Sequence, residues 1–457
     1  MGWSRRTILK GAGALPLLAG QFGTSAVAQT APATPGANGI PPILFVHGNG
    51  DHAALWITTL WRMESNGVSR DRMFAINFTD PLARNDDAVA QANRSSTEDQ
   101  RRQLGEAIAA LKQRTGAARV ALVGNSRGGN SIRSYIKNGG SGDVSHAVLC
   151  GVLNHGAFAW DDSPDSEFNG RSPFLRGLNE GESEVTQGST FLTLRSDGLD
   201  KYAQADGRFV GKPGVPTNVT AEGPALKGAT NLVLGAVDHR ETAYSPRAFR
   251  EIFKFIAGRE PERVAIVPEA QVKLSGLVTG TPGGVQTNRP VVGAGVEMFR
   301  VAPDTGERIG AAIHSSQTGE DGRWGPAQVD PSWPLEIVLT SKDQPITHFY
   351  RSPFPRSSDL VHLRAARPLG PADAGAGAIV ILSRPRGYLG LPRDVVLLDG
   401  KEPADVKTGV PTDSTTTLRL PASDVGRNVI GLFNEERIAA RAWPAVENRI
   451  AVAELTY

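Results

Sequence analysis

The amino-acid sequence predicts an α/β domain built on a mostly parallel sheet, followed by an all-β region that folds as a sandwich or barrel. Between residues 42 and 262, apolar runs alternate with segments of helical periodicity, which is the pattern of strands joined by helical crossovers. From residue 266 to 457, short alternating runs are separated by Gly-containing turns, which is typical of antiparallel strands. A Gly-x-Ser-x-Gly sequence at residues 124–128 stands between an apolar run and a helical run, and indicates a sharp strand-to-helix turn.

The first 28 residues have the features of a twin-arginine signal peptide. Arg5 and Arg6 precede a mildly apolar stretch over residues 11–20, and small residues lead up to Ala28. We therefore expect cleavage after Ala28 and a flexible leader over residues 29–41. Export by the twin-arginine machinery would place the mature protein in the periplasm or outside the cell.

Charge and hydropathy argue against two classes of partner. Loss of Arg5, Arg6 and Lys10 with the signal lowers the formal net charge of +2 by three, so the remaining chain has no basic surplus of the kind that nucleic-acid binding requires. No later run approaches the roughly 18 apolar residues of a membrane-spanning helix. We expect neither a nucleic-acid partner nor a stable membrane span.

The single cysteine, Cys150, excludes an internal disulfide and is predicted to be a core residue.

The first predicted strand, residues 42–46, runs directly into His47-Gly48-Asn49, a sequence suited to an oxyanion loop. We predict that the backbone N–H groups of Asn49 and Arg127 bind the oxyanion of an acyl-transfer intermediate, Arg127 being the residue after the presumed nucleophile. Because both roles belong to the backbone, the side chains of Asn49 and Arg127 are expected to tolerate substitution better than Ser126. The alternative for the Arg127 side chain is that it gates the pocket or binds a partner carboxylate.

Ser126 is the predicted nucleophile. The apolar run at residues 119–123 reads as a buried strand, and the following residues read as a helix that ends near Gly139. A serine at such a turn projects its hydroxyl from the top of the sheet, and small flanking residues let the strand and the helix approach closely.

The base and the orienting acid follow from the order Ser, acid, His that this arrangement requires. His239 comes after a predicted strand at residues 231–237 and before a capped helix, so it is favoured over His146 and His155. The acid should follow the strand at residues 189–195. Asp200 is favoured and Asp197 is the alternative, because Asp197 also suits the capping of an Asp-Gly turn.

Residues 155–186 form a long polar and aromatic insertion between two strands. An insertion at this edge of a parallel sheet commonly builds a lid or a pocket wall, and Phe158, Trp160 and Phe174 are candidates to bind the acyl chain. The alternative is a surface excursion with a small core of its own.

A stretch rich in Pro, Gly and Ala at residues 370–377 divides the predicted β region. The region therefore forms either one continuous unit over residues 266–457 or two modules over residues 266–368 and 378–457.

These residues resemble the serine lipases and esterases of the α/β-hydrolase superfamily, through His47-Gly48, the 124–128 turn and His239. More narrowly, the chain is similar to archaeal lipases that join such a domain to a C-terminal β-barrel, with the best local match at residues 347–356. The resemblance implies that the β region helps to present long-chain, water-insoluble esters. One position departs from the pattern: those lipases take their acid from the end of the strand after the nucleophile turn, where this chain has Gly151.

The sequence thus predicts an exported serine hydrolase that cleaves carboxylic esters through an acyl-enzyme, most simply a lipase, with a lipid or other ester as substrate and without a metal or organic cofactor. A polyester depolymerase of the polyhydroxyalkanoate type or a short-chain carboxylesterase is the alternative enzyme. A secreted binding protein is the alternative outside catalysis.

Overall fold

Six parallel strands form the sheet of the N-terminal half, in the spatial order β2-β1-β3-β4-β5-β6. This sheet confirms the predicted α/β class. The strands are β1 Ile43–Val46, β2 Met73–Ala75, β3 Val120–Asn125, β4 Val144–Cys150, β5 Thr190–Ser196 and β6 Thr230–Leu234.

The structure is a computed structural model, and it describes residues 39–220 and 222–457, which belong to one compact unit. The predicted signal peptide at residues 1–28 and the leader up to residue 38 lie outside the described residues. Within the described part of the chain, no helix is both long and apolar enough to span a bilayer.

The α helices lie on both faces of the sheet. They are α1 Ile57–Ser65, α2 Thr97–Thr115, α3 Arg127–Lys137, α4 Pro173–Leu178, α5 Glu241–Tyr244 and α6 Pro246–Ala257. Alternate residues of β1 show the two layers: Ile43 and Phe45 pack with α1 and α6, whereas Leu44 and Val46 pack with α2 and α3. A sheet buried on both faces accounts for the continuous apolar runs in the sequence.

Helix and strand ends follow local chemistry. A capping box between Ser96 and Asp99 begins α2, and Ser245 caps α6 with Pro246 in its first turn. β4 ends at Cys150, because Gly151 turns the chain with a φ of +58°. β6 likewise ends before Ala236, whose φ is +57°.

Twelve strands in three sheets make up the C-terminal half, which confirms the predicted all-β region. They are β7 Val272–Leu277, β8 Gly295–Arg300, β9 His314–Gln317, β10 Arg323–Val329, β11 Leu335–Thr340, β12 Ile346–Arg351, β13 Ala378–Ser383, β14 Val396–Leu398, β15 Thr415–Leu420, β16 Asn428–Phe433, β17 Glu436–Arg441 and β18 Arg449–Glu454. The sheets are a β10-β7 pair, a β14-β16-β17 sheet and a seven-stranded sheet.

The seven-stranded sheet has the order β15-β13-β18-β12-β11-β8-β9 and crosses the division suggested at residues 370–377. It is mixed rather than purely antiparallel, because β18 pairs in parallel with both β12 and β13. The strands on either side of the division therefore share one sheet.

Helix α1 joins the two halves. Leu60 and Met63 face the core beside the parallel sheet, whereas Ile57 and Trp61 belong to the core of the β region. The indole N–H of Trp61 donates to the carbonyl of Ser357 at 2.9 Å, and the ring packs edge-on against Phe354. The β region is thus packed directly onto the layer of helices behind the parallel sheet.

Candidate active site

Ser126 lies at the turn between β3 and α3, with φ +53° and ψ −126°. Residues other than glycine rarely adopt this backbone conformation. The Ser126 N–H donates to the carbonyl of Cys150, and the Ser126 carbonyl accepts from Gly129, both at 2.9 Å. A Cβ on Gly128 would lie 2.4 Å from the carbonyl oxygen of His47. Only glycine at residue 128 therefore allows α3 to approach the loop after β1 this closely.

His239 and Asp200 meet at the carboxyl edge of the sheet. Nδ1 of His239 lies 2.8 Å from Oδ2 of Asp200, and the other carboxylate oxygen accepts from the N–H of Tyr202, also at 2.8 Å. Both side chains are buried. A carboxylate at Nδ1 favours the tautomer with the proton on that nitrogen, which leaves Nε2 free to act as a base. His239 and Ser126 line the same cavity.

Asp197, the alternative acid, stands apart from His239. Its side chain is exposed and accepts a hydrogen bond from the N–H of Ala236 at 2.9 Å, so it tethers the loop after β6. The structure therefore places Asp200, and not Asp197, at the imidazole.

Gly151 leaves no room for an acidic side chain at the end of β4. A Cβ at this position would lie 2.7 Å from both the carbonyl oxygen of His239 and Oγ1 of Thr242, and 3.3 Å from Nδ1 of His239. The end of β4 thus serves as the surface against which the histidine loop packs, and no acidic side chain fits there. The next strand supplies the acid instead.

The predicted oxyanion donors flank Ser126. Arg127 is the first residue of α3, and N–H groups in the first turn of a helix have no acceptor within the helix. Asn49 lines the same cavity as Ser126 and His239. Its side-chain oxygen accepts from the N–H of Ala83 at 2.8 Å, and this hydrogen bond holds the loop after β1 in place. Gly48 lies against the nucleophile, since a Cβ there would be 3.0 Å from Cβ of Ser126.

The Arg127 side chain is not a variable group but binds a carboxylate, which was the alternative expectation. It is 1% exposed, forms an ion pair with Glu167 at 2.5 Å, and donates to the hydroxyl and the carbonyl of Ser95. Burial raises the pKa of Glu167, while the guanidinium of Arg127 opposes that rise. This ion pair fastens the 155–186 insertion to the start of α3.

The cavity above Ser126 has a volume of about 240 Å³ and an apolar side. Phe158 lines it as predicted, but Trp160 and Phe174 do not. Trp160 stacks on the outer side of Phe158, with its indole N–H turned to the carbonyl of Pro216, and Phe174 is half-buried on α4. The apolar side consists of Leu153, Ala157, Phe158, Phe168, Phe209 and Val210.

Several lining residues escaped the sequence interpretation. Phe209 and Val210 lie in a short 3₁₀ helix, Arg208–Val210, in the connection between β5 and β6, whose sequence has no strand or helix periodicity. Tyr202 packs edge-on against the His239 ring with centroids 4.8 Å apart, and its position two residues after the acid was the only available signal. Tyr388 comes from the β region and has no local signal at all.

Two segments of the chain match family models. Residues 41–159 match the model described as Lipase (class 2), and residues 270–368 match the model described as Lipase C-terminal domain. The first segment includes Ser126, and the second covers the first part of the β region. These matches confirm the predicted resemblance to lipases with a C-terminal domain, and they support a lipolytic ester hydrolase.

No curated protein matches the chain significantly. Among solved structures, Aspergillus fumigatus lipase B is 14% identical, with 51% of this chain and 56% of that chain covered and a TM-score of 0.36. The propeptide form of Bacillus licheniformis lipase BlEst2 is 17% identical, with 58% of each chain covered and a TM-score of 0.35. Phospholipase PlaB from Legionella pneumophila is 12% identical, with 73% and 95% covered and a TM-score of 0.33. The chain spans little more than half the length of the Aspergillus and Bacillus lipases. Structural similarity at this level carries no argument about function.

Proposed function

We propose that this chain is a serine ester hydrolase that cleaves acyl esters of lipids through a covalent acyl-enzyme, with Ser126, His239 and Asp200 as its catalytic residues. The observation that carries the proposal is the buried hydrogen bond between His239 and Asp200 beside a cavity that Ser126 also lines. A serine hydroxyl is a weak nucleophile until a neighbouring base removes its proton, and an imidazole held by a carboxylate is such a base.

In the first half of the reaction, Oγ of Ser126 attacks the ester carbonyl carbon while Nε2 of His239 takes the hydroxyl proton. The carbonyl oxygen becomes an oxyanion, which the N–H groups of Asn49 and Arg127 bind. Asp200 stabilises the imidazolium. Collapse of the tetrahedral intermediate breaks the ester C–O bond, and the imidazolium gives its proton to the departing alcohol.

In the second half, water repeats these steps on the acyl-enzyme. His239 takes one proton from the water as its oxygen attacks the acyl carbon, the same N–H groups bind the new oxyanion, and the proton returns to Oγ of Ser126. The products are a carboxylic acid and free enzyme. The protons move between water, the departing alcohol and the side chains of Ser126 and His239, while Asp200 stays ionised.

The apolar side of the cavity suits the acyl part of the substrate. Leu153, Phe158, Phe168 and Val210 offer aliphatic and aromatic surface, whose burial against an alkyl chain contributes about 0.8 kcal/mol per CH₂ group. Asp51 and Arg240 line the cavity as polar groups, which suit the alcohol part.

We also propose that the protein works outside the cytoplasm, after export by the twin-arginine pathway. The proposal rests on Arg5 and Arg6 together with the apolar stretch and small residues that follow. Replacing both arginines by lysine should leave the precursor in the cytoplasm, which fractionation of expressing cells would detect. Secretion of that variant at the normal level would contradict it.

The main experiment measures hydrolysis of p-nitrophenyl esters from acetate to palmitate by the protein and by Ser126→Ala. We expect kcat of the variant to fall by at least about 10⁴-fold. Ser134→Ala is the matched control, since it removes a buried hydroxyl from the same helix and does not line the cavity. A fluorophosphonate should label the wild type and Ser134→Ala once per chain, and should not label Ser126→Ala. Equal rates for wild type and Ser126→Ala, or a wild type that is inert and unlabelled, would overturn the proposal.

A further inference from the structure

The β region reaches into the active site through the segment that follows β13. This segment, residues 384–393, packs against the loop of residues 238–241, which carries His239. We call these two stretches the arginine segment and the histidine loop. They are about 150 residues apart in sequence.

Asp238 is the centre of the contact. Its side chain is fully buried, and Oδ1 accepts the N–H groups of Arg240 and Glu241 at 2.8 and 2.9 Å. The other oxygen, Oδ2, accepts the N–H of Tyr388 at 2.9 Å and Nη1 of Arg384 at 3.2 Å. The Asp238 carboxylate therefore connects the backbone of Arg240 and Glu241, which follow His239, to the β region.

Glu241 completes a ring of charges. Its two carboxylate oxygens pair with Arg384 at 2.5 Å and with Arg393 at 2.7 Å, and it also accepts the N–H of Asp238 at 2.7 Å. Burial raises the pKa of Asp238, and the two arginines oppose that rise. Two acids of the histidine loop are thus neutralised by two cations of the arginine segment, in a place where an unpaired charge would be costly.

The arginine segment also touches the reaction space. Tyr388 lines the cavity of Ser126 and His239, while Arg240 donates to the carbonyl of Pro385 at 2.7 Å. His239 is therefore flanked on both sides in sequence by residues, Asp238 and Arg240, that are bound to the β region. The hydrogen bond that Nδ1 of His239 donates to Asp200 orients the imidazole ring, but it does not fix the backbone from which the ring projects.

We propose that Arg384 is a positioning residue for the hydrolysis described above: through Asp238 it fixes the backbone of His239, so that the β region takes part in catalysis on every ester, short or long. This inference rests on the proposed function. It assigns the β region a role beyond the presentation of insoluble substrates, because a misplaced base slows the reaction whatever the acyl chain.

The test compares the full-length protein with Arg384→Met on p-nitrophenyl acetate, a substrate too short to need an extended lipid platform. Rates are expressed per active site, as titrated with a fluorophosphonate. We expect kcat to fall by about 100-fold, the scale of a misplacement of roughly 1 Å, with KM close to the wild-type value. The rate of fluorophosphonate labelling should fall in parallel while its final stoichiometry stays at one per chain. Arg384→Lys should recover part of kcat, because it keeps the charge but not the forked geometry.

A second variant separates positioning from stability. Arg384→Met leaves the buried Asp238 with the more distant Arg393, at 3.6 Å, as its cation and can destabilise the protein, whereas Arg384→Met combined with Asp238→Asn removes both charges. Positioning predicts that the double variant regains stability while kcat stays low. A purely structural role predicts that stability and kcat return together, which would overturn the inference.

Arg308→Met is the matched control. Arg308 pairs with the buried Glu336 inside the β region, so the control breaks a comparable ion pair away from the histidine loop. Its kcat per titrated site should match the wild type, and an equal fall in kcat for Arg308→Met would contradict the assignment to Arg384. Wild-type kcat in Arg384→Met would also contradict it. Failure of the proposed function looks different, since the wild type itself would then be inert and unlabelled.

Discussion

The carboxylate of Asp200 lies 2.8 Å from Nδ1 of His239, and both groups are almost fully shielded from solvent. Asp197, three residues earlier, bonds instead to the backbone of Ala236. Two acids on one short loop thus have separate functions, one at the imidazole and one in holding the loop after β6.

Exchange of these two acids for amides should have very different effects. Asp200→Asn removes the charge that stabilises the imidazolium and favours the wrong tautomer, so we expect kcat to fall by about 10⁴-fold. Asp197→Asn keeps an oxygen that can accept from Ala236 and should stay close to the wild-type rate. Steady-state kinetics on p-nitrophenyl butyrate distinguish the two, and a larger loss for Asp197→Asn would reverse the assignment.

Gly151→Ala should damage both stability and activity. The new Cβ would meet the His239 carbonyl and the Thr242 hydroxyl, in addition to the strain of a positive φ, which costs about 1–2 kcal/mol. Gly258→Ala is the control, because Gly258 has a similar φ of +67° and open space around it. Urea unfolding and kcat measure the outcome. If the two variants behave alike, contact between Gly151 and the histidine loop is unimportant.

Arg127→Met should destabilise the protein by roughly 3–5 kcal/mol, since it leaves Glu167 buried without its cation. A control at the surface is Arg101→Met, whose pair with Glu98 is exposed and should contribute less than about 1 kcal/mol. Replacing Arg127 and Glu167 together by Met and Leu should recover much of the loss. Chemical denaturation of all four proteins tests this, and a tolerant Arg127→Met would support the original expectation of a variable side chain.

Stability should fall on acidification because of His47. Burial lowers its pKa from 6.5 to about 4, and in the folded protein Nε2 accepts the N–H of Phe78 at 3.1 Å. Between these two values the unfolded chain binds a proton that the folded chain does not, so the free energy of unfolding decreases as the pH falls, by about 1.4 kcal/mol per pH unit. His47→Gln should make the pH dependence shallower by that amount between pH values of about 6.5 and 4, measured by denaturant titrations. An unchanged slope would show that His47 is not responsible.

The sequence carried enough local information for much of the fold and for the centre of the site. Apolar runs located β1, β3, β5 and β6 of the parallel sheet, and the central strands β1 and β3, which are buried on both faces, have no polar alternation to obscure them. The strand ends were less accurate: a positive φ at Ala236 ended β6 before the predicted end at residue 237, and Ala236 carries no compositional sign of that conformation. Ser126 and His239, which a turn sequence and the strand order indicated, line one cavity.

Other features depend on contacts between distant residues. Trp160 was expected in the cavity as an aromatic residue of the insertion, but its indole N–H donates to the Pro216 carbonyl instead. A carboxylate partner for the Arg127 side chain was considered without being identified, since nothing nearby in sequence indicates Glu167. Tyr388 and Arg384 lie about 150 residues beyond the loop they contact, and no periodicity or spacing reports on such a pair.

Strand β18 follows every other described strand along the chain, yet it occupies the middle of the seven-stranded sheet, between β12 and β13. Until it is in place, both neighbours present open edges, and β13 leads directly into Arg384. Parallel pairings over such sequence distances form late, because the entropy of closing long loops must be overcome first. We therefore expect hydrolytic activity to arise in the final stage of folding, so that an incompletely folded chain holds its nucleophile without a working base.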